Sequence, residues 1–255
     1  MKEGIVISKK ESSRIGEIAR NKNNSLMKII KYNNALDIDI EFENGFTTNT
    51  TYYYFKKGSV FNPLDKVNYN IGYFGIGKYN TNHESYHKWI DMLKRCYDQK
   101  YLSKFETYKD CTVCDEWHNF QVFAKWYDEN YYKIENERME LDKDILVKGN
   151  KIYSPDTCVF VPQEINYLFI KVNKSRGKYP IGVYLHSDKD KYVAQCNNIN
   201  KKAKYLGRHN TVIEAFNTYK NYKESVIKQV ADKYKDKIPQ KLYDAMYVYK
   251  VEITD

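Results

Sequence analysis

The rhythm of apolar and polar positions changes three times along this chain. Over residues 14–79 it is that of short strands. SLMKIIKY (25–32) and DIDIEFE (37–43) alternate apolar and polar residues, and TYYYF (51–55) clusters β-forming ones. Asn-Asn pairs, Asn44-Gly45 and Lys57-Gly58 separate the runs, as turns do. In IGYFGIGKY (71–79), Gly72, Gly75 and Gly77 read as turn residues that end the β module, because no helix context for a phosphate-binding loop follows. From Ser85 the period becomes helical, with Tyr86, Trp89, Ile90, Leu93 and Tyr97 on one face. A second helix carries Trp117, Phe120, Phe123, Ala124 and Tyr127.

After these helices MELDKDILV reads as a strand, GNKIYS as a turn into a second strand, and VPQEINYLFIKV as a helix or irregular segment. Residues 174–209 alternate as strands again. Residues 211–235 read as a helix that opens on Thr211 with Glu214 three positions later, the spacing at which each side chain satisfies an orphan backbone donor of the other. The expected fold class is α+β in three parts. These are a small β module (1–84), a central β-hairpin and helix with flanking helices (85–172), and a three-stranded sheet plus helix and tail (173–255).

Composition sharpens this. Hydrophobic residues make up 42% of 255 residues, enough to bury real cores, so global disorder is excluded. The formal net charge is +9, and residues 174–255 hold 17 Lys/Arg against 9 Asp/Glu. Almost all the excess positive charge therefore sits in the last third, which points to a polyanionic partner. The 26 tyrosines suit half-exposed cores and also base stacking. No apolar run approaches the roughly 20 residues that cross a bilayer, and MKEGIVISKKESSRIGE has no signal-peptide core. The expectation is an intracellular, cytoplasmic protein with no membrane partner. Cys96, Cys111, Cys114, Cys158 and Cys196 are odd in number and sparsely spaced, as reduced thiols are. Cys111 and Cys114 have zinc-ligand spacing, but there is no second such pair, so buried thiols are expected rather than structural zinc.

WIDMLKRCYD (89–98), YKDCTVCDEWHNFQVFAKWY (108–127) and LDKDILVKGNKIYSPDTCVFVPQEIN (141–166) resemble the HNH-like, or His-Me finger, proteins of bacteriophages. The resemblance implies a ββα core in which a strand-end histidine activates water and a helix Asn or His helps hold one divalent metal against the scissile phosphate. Here the strand end reads Leu141-Asp142-Lys143-Asp144, without histidine. A carboxylate of ordinary pKa is a weaker base at neutral pH than imidazole. The candidate catalytic residues are Asp142, Asp144, Asn166 and Lys143, with Asp142, Asp144 and Asn166 as ligands of Mg²⁺ or Mn²⁺ and Lys143 as a phosphate contact. The alternative is that Asp142–Asp144 form a polar turn, tied to the hairpin by Asn150, Asn166 and Tyr153. Of the histidines, His83, His87, His118, His186 and His209, none occupies the expected base position.

PIGVYLHSDKDKYVAQCNNINKKAKYLGRHNTVIEAFNTYKNYK is similar to the ethylene-response-factor type of DNA-binding domain, which also occurs fused to phage HNH proteins. The resemblance implies a three-stranded sheet laid in the major groove with a helix behind it. The candidate DNA-binding residues are Arg176, Lys178, Tyr184, Lys191, Tyr192, Lys204, Tyr205 and Arg208. Alternation along the strands puts Tyr184, Lys191, Lys204 and Arg208 together, with Val183, Val193 and Leu206 inward. Tyr192 stands where the family has Trp and the strands carry few Arg, so mostly phosphate contacts are expected. The function this implies is that of a phage DNA-binding protein of HNH endonuclease type with double-stranded DNA as partner. The alternatives are an inactive DNA-binding protein, or a regulatory or counter-defence factor that binds a host protein through the Tyr-rich N-terminal module.

Overall fold

The structure is a computed structural model and describes residues 14–170, 178–188 and 190–255. Helices and strands both contribute, as the α+β expectation requires. By its contacts the chain divides into two compact units, residues 1–129 and 130–255.

The first unit contains an antiparallel sheet of β1 (Ile18–Arg20), β2 (Leu26–Asn34), β3 (Asp37–Phe42) and β4 (Thr47–Thr50), in sequence order. Alternation does what it predicts up to Ile29, where a register shift against β3 turns Tyr32 to the same face. Met27, Ile29 and Tyr32 of β2 and Ile38, Ile40 and Phe42 of β3 are buried on one face, with Phe55 and Val60 packed onto them. TYYYF is not a strand: Tyr52–Lys57 form helix α1. Thr51 accepts a hydrogen bond from Tyr54 N at its start, and Gly58 ends it in the left-handed conformation (φ 65°). These end signals outweigh the β preference of three tyrosines.

Helices α2 (Ser85–Tyr97), α3 (Gln99–Leu102) and α4 (Phe120–Asn130) follow, with the short strand β5 (Thr112–Val113) between the last two. Trp89, Trp117, Phe120 and Phe123 are fully buried, and the Trp89 indole N–H donates to Trp117 O at 2.7 Å. The glycines at 72, 75 and 77 are more than turn residues. A Cβ on Gly72 would strike Leu93 and Trp89, and one on Gly75 would strike the Asn119 amide; one on Gly77 would meet the Gln121 amide. Missing side chains let residues 71–79 lie against α2 and the start of α4, where Gln121 binds Phe74 O, Tyr79 N and Tyr79 O.

In the second unit β6 (Met139–Asp142) pairs antiparallel with β8 (Val159–Pro162), from Met139↔Pro162 to Asp142↔Val159. Their connection carries β7 (Ile152–Tyr153), and α5 (Gln163–Phe169) leaves β8 directly. A second sheet has the order β11 (Ala203–His209), β10 (Tyr192–Asn197), β9 (Val183–Leu185). Helix α6 (Val212–Tyr234) packs on all three strands and on α7 (Gln240–Val248). Its start has the expected reciprocal cap. Thr211 Oγ1 accepts from Glu214 N at 3.2 Å, and the Glu214 carboxylate accepts from Thr211 N at 3.3 Å.

One core explains why the hairpin and the C-terminal sheet are a single unit. Ile145, Val159, Val161 and Ile165 join Val183, Ala194, Cys196, Phe216, Val226, Ile227 and Val230 in it. Each Val, Ile and Phe among them contributes about 1.5–3 kcal/mol when buried. Cutting near 172 would divide that core. The final residues belong to it too: Val251 is buried, its N–H donates to Glu224 at 2.9 Å, and Lys220 donates to its carbonyl.

Candidate nucleic-acid interface and carboxylate turn

Strand β6 stops at Asp142 because the side chain there turns the chain. Asp142 Oδ1 accepts from Asp144 N at 2.8 Å and from Ile145 N at 2.7 Å. Two backbone donors that would otherwise be orphaned at the strand end are thus satisfied locally. Burial, and next to it the charge of Asp144, push the Asp142 carboxyl up to about 6; the two N–H donors and Lys143 pull the other way without overcoming that rise. Lys143 is buried, with its ammonium 3.3 Å from Asp144 Oδ2 and 5.8 Å from the centre of the Tyr153 ring. It is therefore committed inside the fold and not presented to a phosphate. Asn150 closes the turn by donating to Lys143 O and Ile152 O, each at 2.7 Å. This is the polar turn of the alternative reading, with Asn150 and Tyr153 as its ties. Asn166 is half-buried on α5, the helix that packs on β6 and β8.

The donors for a divalent ion are partly spent. One oxygen of Asp142 serves two backbone N–H groups, and one oxygen of Asp144 faces the Lys143 ammonium. Hard cations such as Mg²⁺ need several oxygen ligands at once, and a resident ammonium competes for the same carboxylate. As they stand, Asp142 and Asp144 have one oxygen each left over, fewer than such an ion needs. Among the described residues, His, Cys, Asp and Glu ligand atoms converge instead in His186, Asp188 and Asp190, all within 4.8 Å of one another in the exposed turn between β9 and β10. The half-buried His83 and His118 face Asp128 (3.2 Å) and Asp115 (3.7 Å). All five cysteines are thiols.

A neighbour of the carboxylate turn that sequence reasoning missed is the C-terminal tail. Lys148 Nζ donates to Lys250 O at 2.7 Å and to Asp255 Oδ2 at 2.8 Å, and Tyr249 stacks edge-on against Phe169 of α5 at 4.8 Å. Burial raises the Tyr249 phenol, and Asp255, Asp144, Glu252 and Asp142 add to it, so its ring sits within the field of both turn carboxylates. Nothing local in VYKVEITD signals this, because the contacts span about a hundred positions.

The second candidate site is the sheet β9–β10–β11. Residues directly opposite in an antiparallel pair share a face. Val193 lies opposite Tyr184 on one side and Arg208 on the other, while Ala194 lies opposite Val183 and Gly207. Val183 and Ala194 belong to the core against α6, so Val193, Tyr184 and Arg208 are on the outer face. This corrects the expectation that Val193 packs inward with Val183. It is fully buried on that face.

A register shift next to Ala194–Gln195, at Gly207 (φ +126°), then puts Tyr205 opposite Gln195 and Lys204 opposite Cys196. Tyr205 joins the outer face, 58% exposed beside Tyr184 at 45%. Lys204 falls on the helix side, its ammonium 4.6 Å from the Tyr222 ring of α6. Alternation counted from the sequence alone misses that bulge and so groups Lys204 with Tyr184 and Arg208. Tyr192 also turns to the helix side, its ring 5.5 Å from that of Tyr179. Lys191 donates to Asn210, Arg208 lies 3.7 Å from Asp188, and Lys178 is exposed beside Tyr179. Arg176 lies outside the described residues.

Compared with protein-family models, with curated proteins and with solved structures, the chain has no match.

Proposed function

We propose that this chain is a DNA-binding protein that engages its ligand through the outer face of β9–β10–β11. One observation carries the reading: Tyr184, Arg208 and Tyr205 share one exposed face of a sheet whose other face is sealed by α6. A helix-backed sheet presents side chains rigidly, and the excess of cations in residues 174–255 draws a polyanion towards it. The test is retention of labelled DNA across a salt series. Affinity falls with salt, and the R208A and K191A double variant weakens binding and flattens the salt slope by about 1–2. K204A changes the slope little, since that ammonium lies over Tyr222. Salt-independent binding, or identical slopes for all three proteins, would remove the proposal.

A hydrolytic reading has its own support. A carboxyl raised to about 6 is still mostly ionised at neutral pH and is a stronger general base than an ordinary aspartate. It rests on Asp142 alone, since the oxygens left over are fewer than a divalent ion needs. Plasmid nicking by the wild type that D142N abolishes would establish it, since the amide keeps both backbone hydrogen bonds and removes the base. No nicking by either protein leaves a binding protein without chemistry.

A further inference from the structure

We infer that the DNA form held by the outer face of β9–β10–β11 is an unpaired strand, whose bases stack on Tyr184 and Tyr205. This rests on the proposed DNA-binding reading and names its ligand. The first argument is the kind of surface exposed. Tyr184 and Tyr205 are 45% and 58% exposed on a face where Val193 is covered and Gln195 half-covered. Tyr205 pairs across β10 with Gln195, two positions beyond the Val193 that pairs with Tyr184, so the rings stand diagonally across three strands. From strand spacing and rise their attachment points are about 12 Å apart, within reach of a short stretched run of nucleotides. An unpaired base offers its π-face to a ring, whereas a duplex presents only base edges in its grooves.

The second argument is charge. Among the described residues, the cations around the outer face are Arg208 beside the buried Val193, and Lys191 next to the strand end. Arg208 faces Asp188, and the β9–β10 turn adds Asp190. Two duplex backbones laid across this sheet would meet those carboxylates, while the Lys204 that would help grip phosphate is turned towards α6. One strand needs a single backbone track, which Arg208 and Lys191 can supply, with the general positive charge of residues 174–255 providing attraction. The polarity of the face therefore matches a ligand that brings bases to the tyrosines and one phosphate line to the cations.

The experiment is fluorescence anisotropy of the full chain with a labelled mixed-sequence 12-nucleotide strand and with the same sequence as a duplex. Expected is a preference of about tenfold or more for the single strand. A Y184A and Y205A double variant should lose about tenfold or more on the single strand and little on the duplex, while Y184F and Y205F keep most of the affinity because the ring does the stacking. Far-UV circular dichroism establishes that the variants are folded. Equal affinity for the two forms, preference for the duplex, or a folded alanine variant that binds the single strand unchanged each overturns the inference and leaves DNA binding standing. Binding to neither oligonucleotide overturns both.

Discussion

Replacing Asp142 by Asn should stabilise this protein at neutral pH, although Asp142 makes two hydrogen bonds that end a strand. The amide oxygen of Asn can still accept from Asp144 N and Ile145 N, the two donors held at 2.8 and 2.7 Å, so the turn geometry survives. What disappears is a buried negative charge next to that of Asp144. The folded carboxyl titrates at about 6 against a reference of 3.8, and about two pKa units correspond to about 3 kcal/mol. The sign follows from which state holds the proton more tightly. The folded state does, so the cost of ionisation is absent below about pH 4, grows as pH rises to about 6, and is complete above it. Urea unfolding of wild type and D142N should thus diverge, with the variant ahead by about 1–3 kcal/mol near pH 7.5 and level near pH 3.5. D142A is the control: it strands two half-buried N–H groups and should be less stable than wild type near pH 3.5 by about 2–4 kcal/mol. A D142N protein no more stable than wild type near pH 7.5, or ahead by the same margin at both pH values, would refute the reasoning. A charge kept at such a cost is the mark of a functional group, or of a turn that evolution has not relaxed.

Three further outcomes test other parts of the structure. Gly75→Ala places a side chain at φ +77° against the Asn119 amide and should lower the stability of the first unit by about 2–5 kcal/mol in urea unfolding. Asp65→Ala removes a buried acceptor shared by Asn21, Asn23 and Ser25 at 2.7, 2.9 and 2.5 Å, and a loss of about 3 kcal/mol with faster amide exchange across residues 20–25 is expected. Lys148→Ala releases Lys250 O and Asp255. Stability should fall by only about 1 kcal/mol because the ammonium is partly exposed, while amides of residues 249–255 exchange faster; unchanged exchange there would show that Lys148 does not hold the tail.

How much was legible varies with how local each cause is. The strands at 26–34 and 37–42, the helices from Ser85, Phe120 and Val212, and the Thr211–Glu214 cap were readable, because period and end signals involve residues a few positions apart. The end signals of the helix at Tyr52–Lys57, Thr51 and Gly58, are local too, but the β preference of three tyrosines masks them. Gly72, Gly75 and Gly77 look like turn formers in sequence and serve as points of close approach, since the groups they avoid lie 17 to 44 positions further on. In the site, Asp142 and Asn150 were legible as turn chemistry. The burial of Lys143 against Tyr153 and the tail over the same turn were not.

By itself the sequence determined the α+β character, the basic last third and the strand-plus-helix plan of residues 183–234, because composition and periodicity act through short-range geometry. Tertiary structure alone decided which side chains share a face and what charge they bear. A bulge beside Gly207 moved Lys204 to the helix side and left Tyr184, Arg208 and Tyr205 outside, a one-position shift that residue order does not encode. It also decided the state of Asp142, whose raised pKa comes from desolvation and from the charge of a neighbour held beside it by the fold.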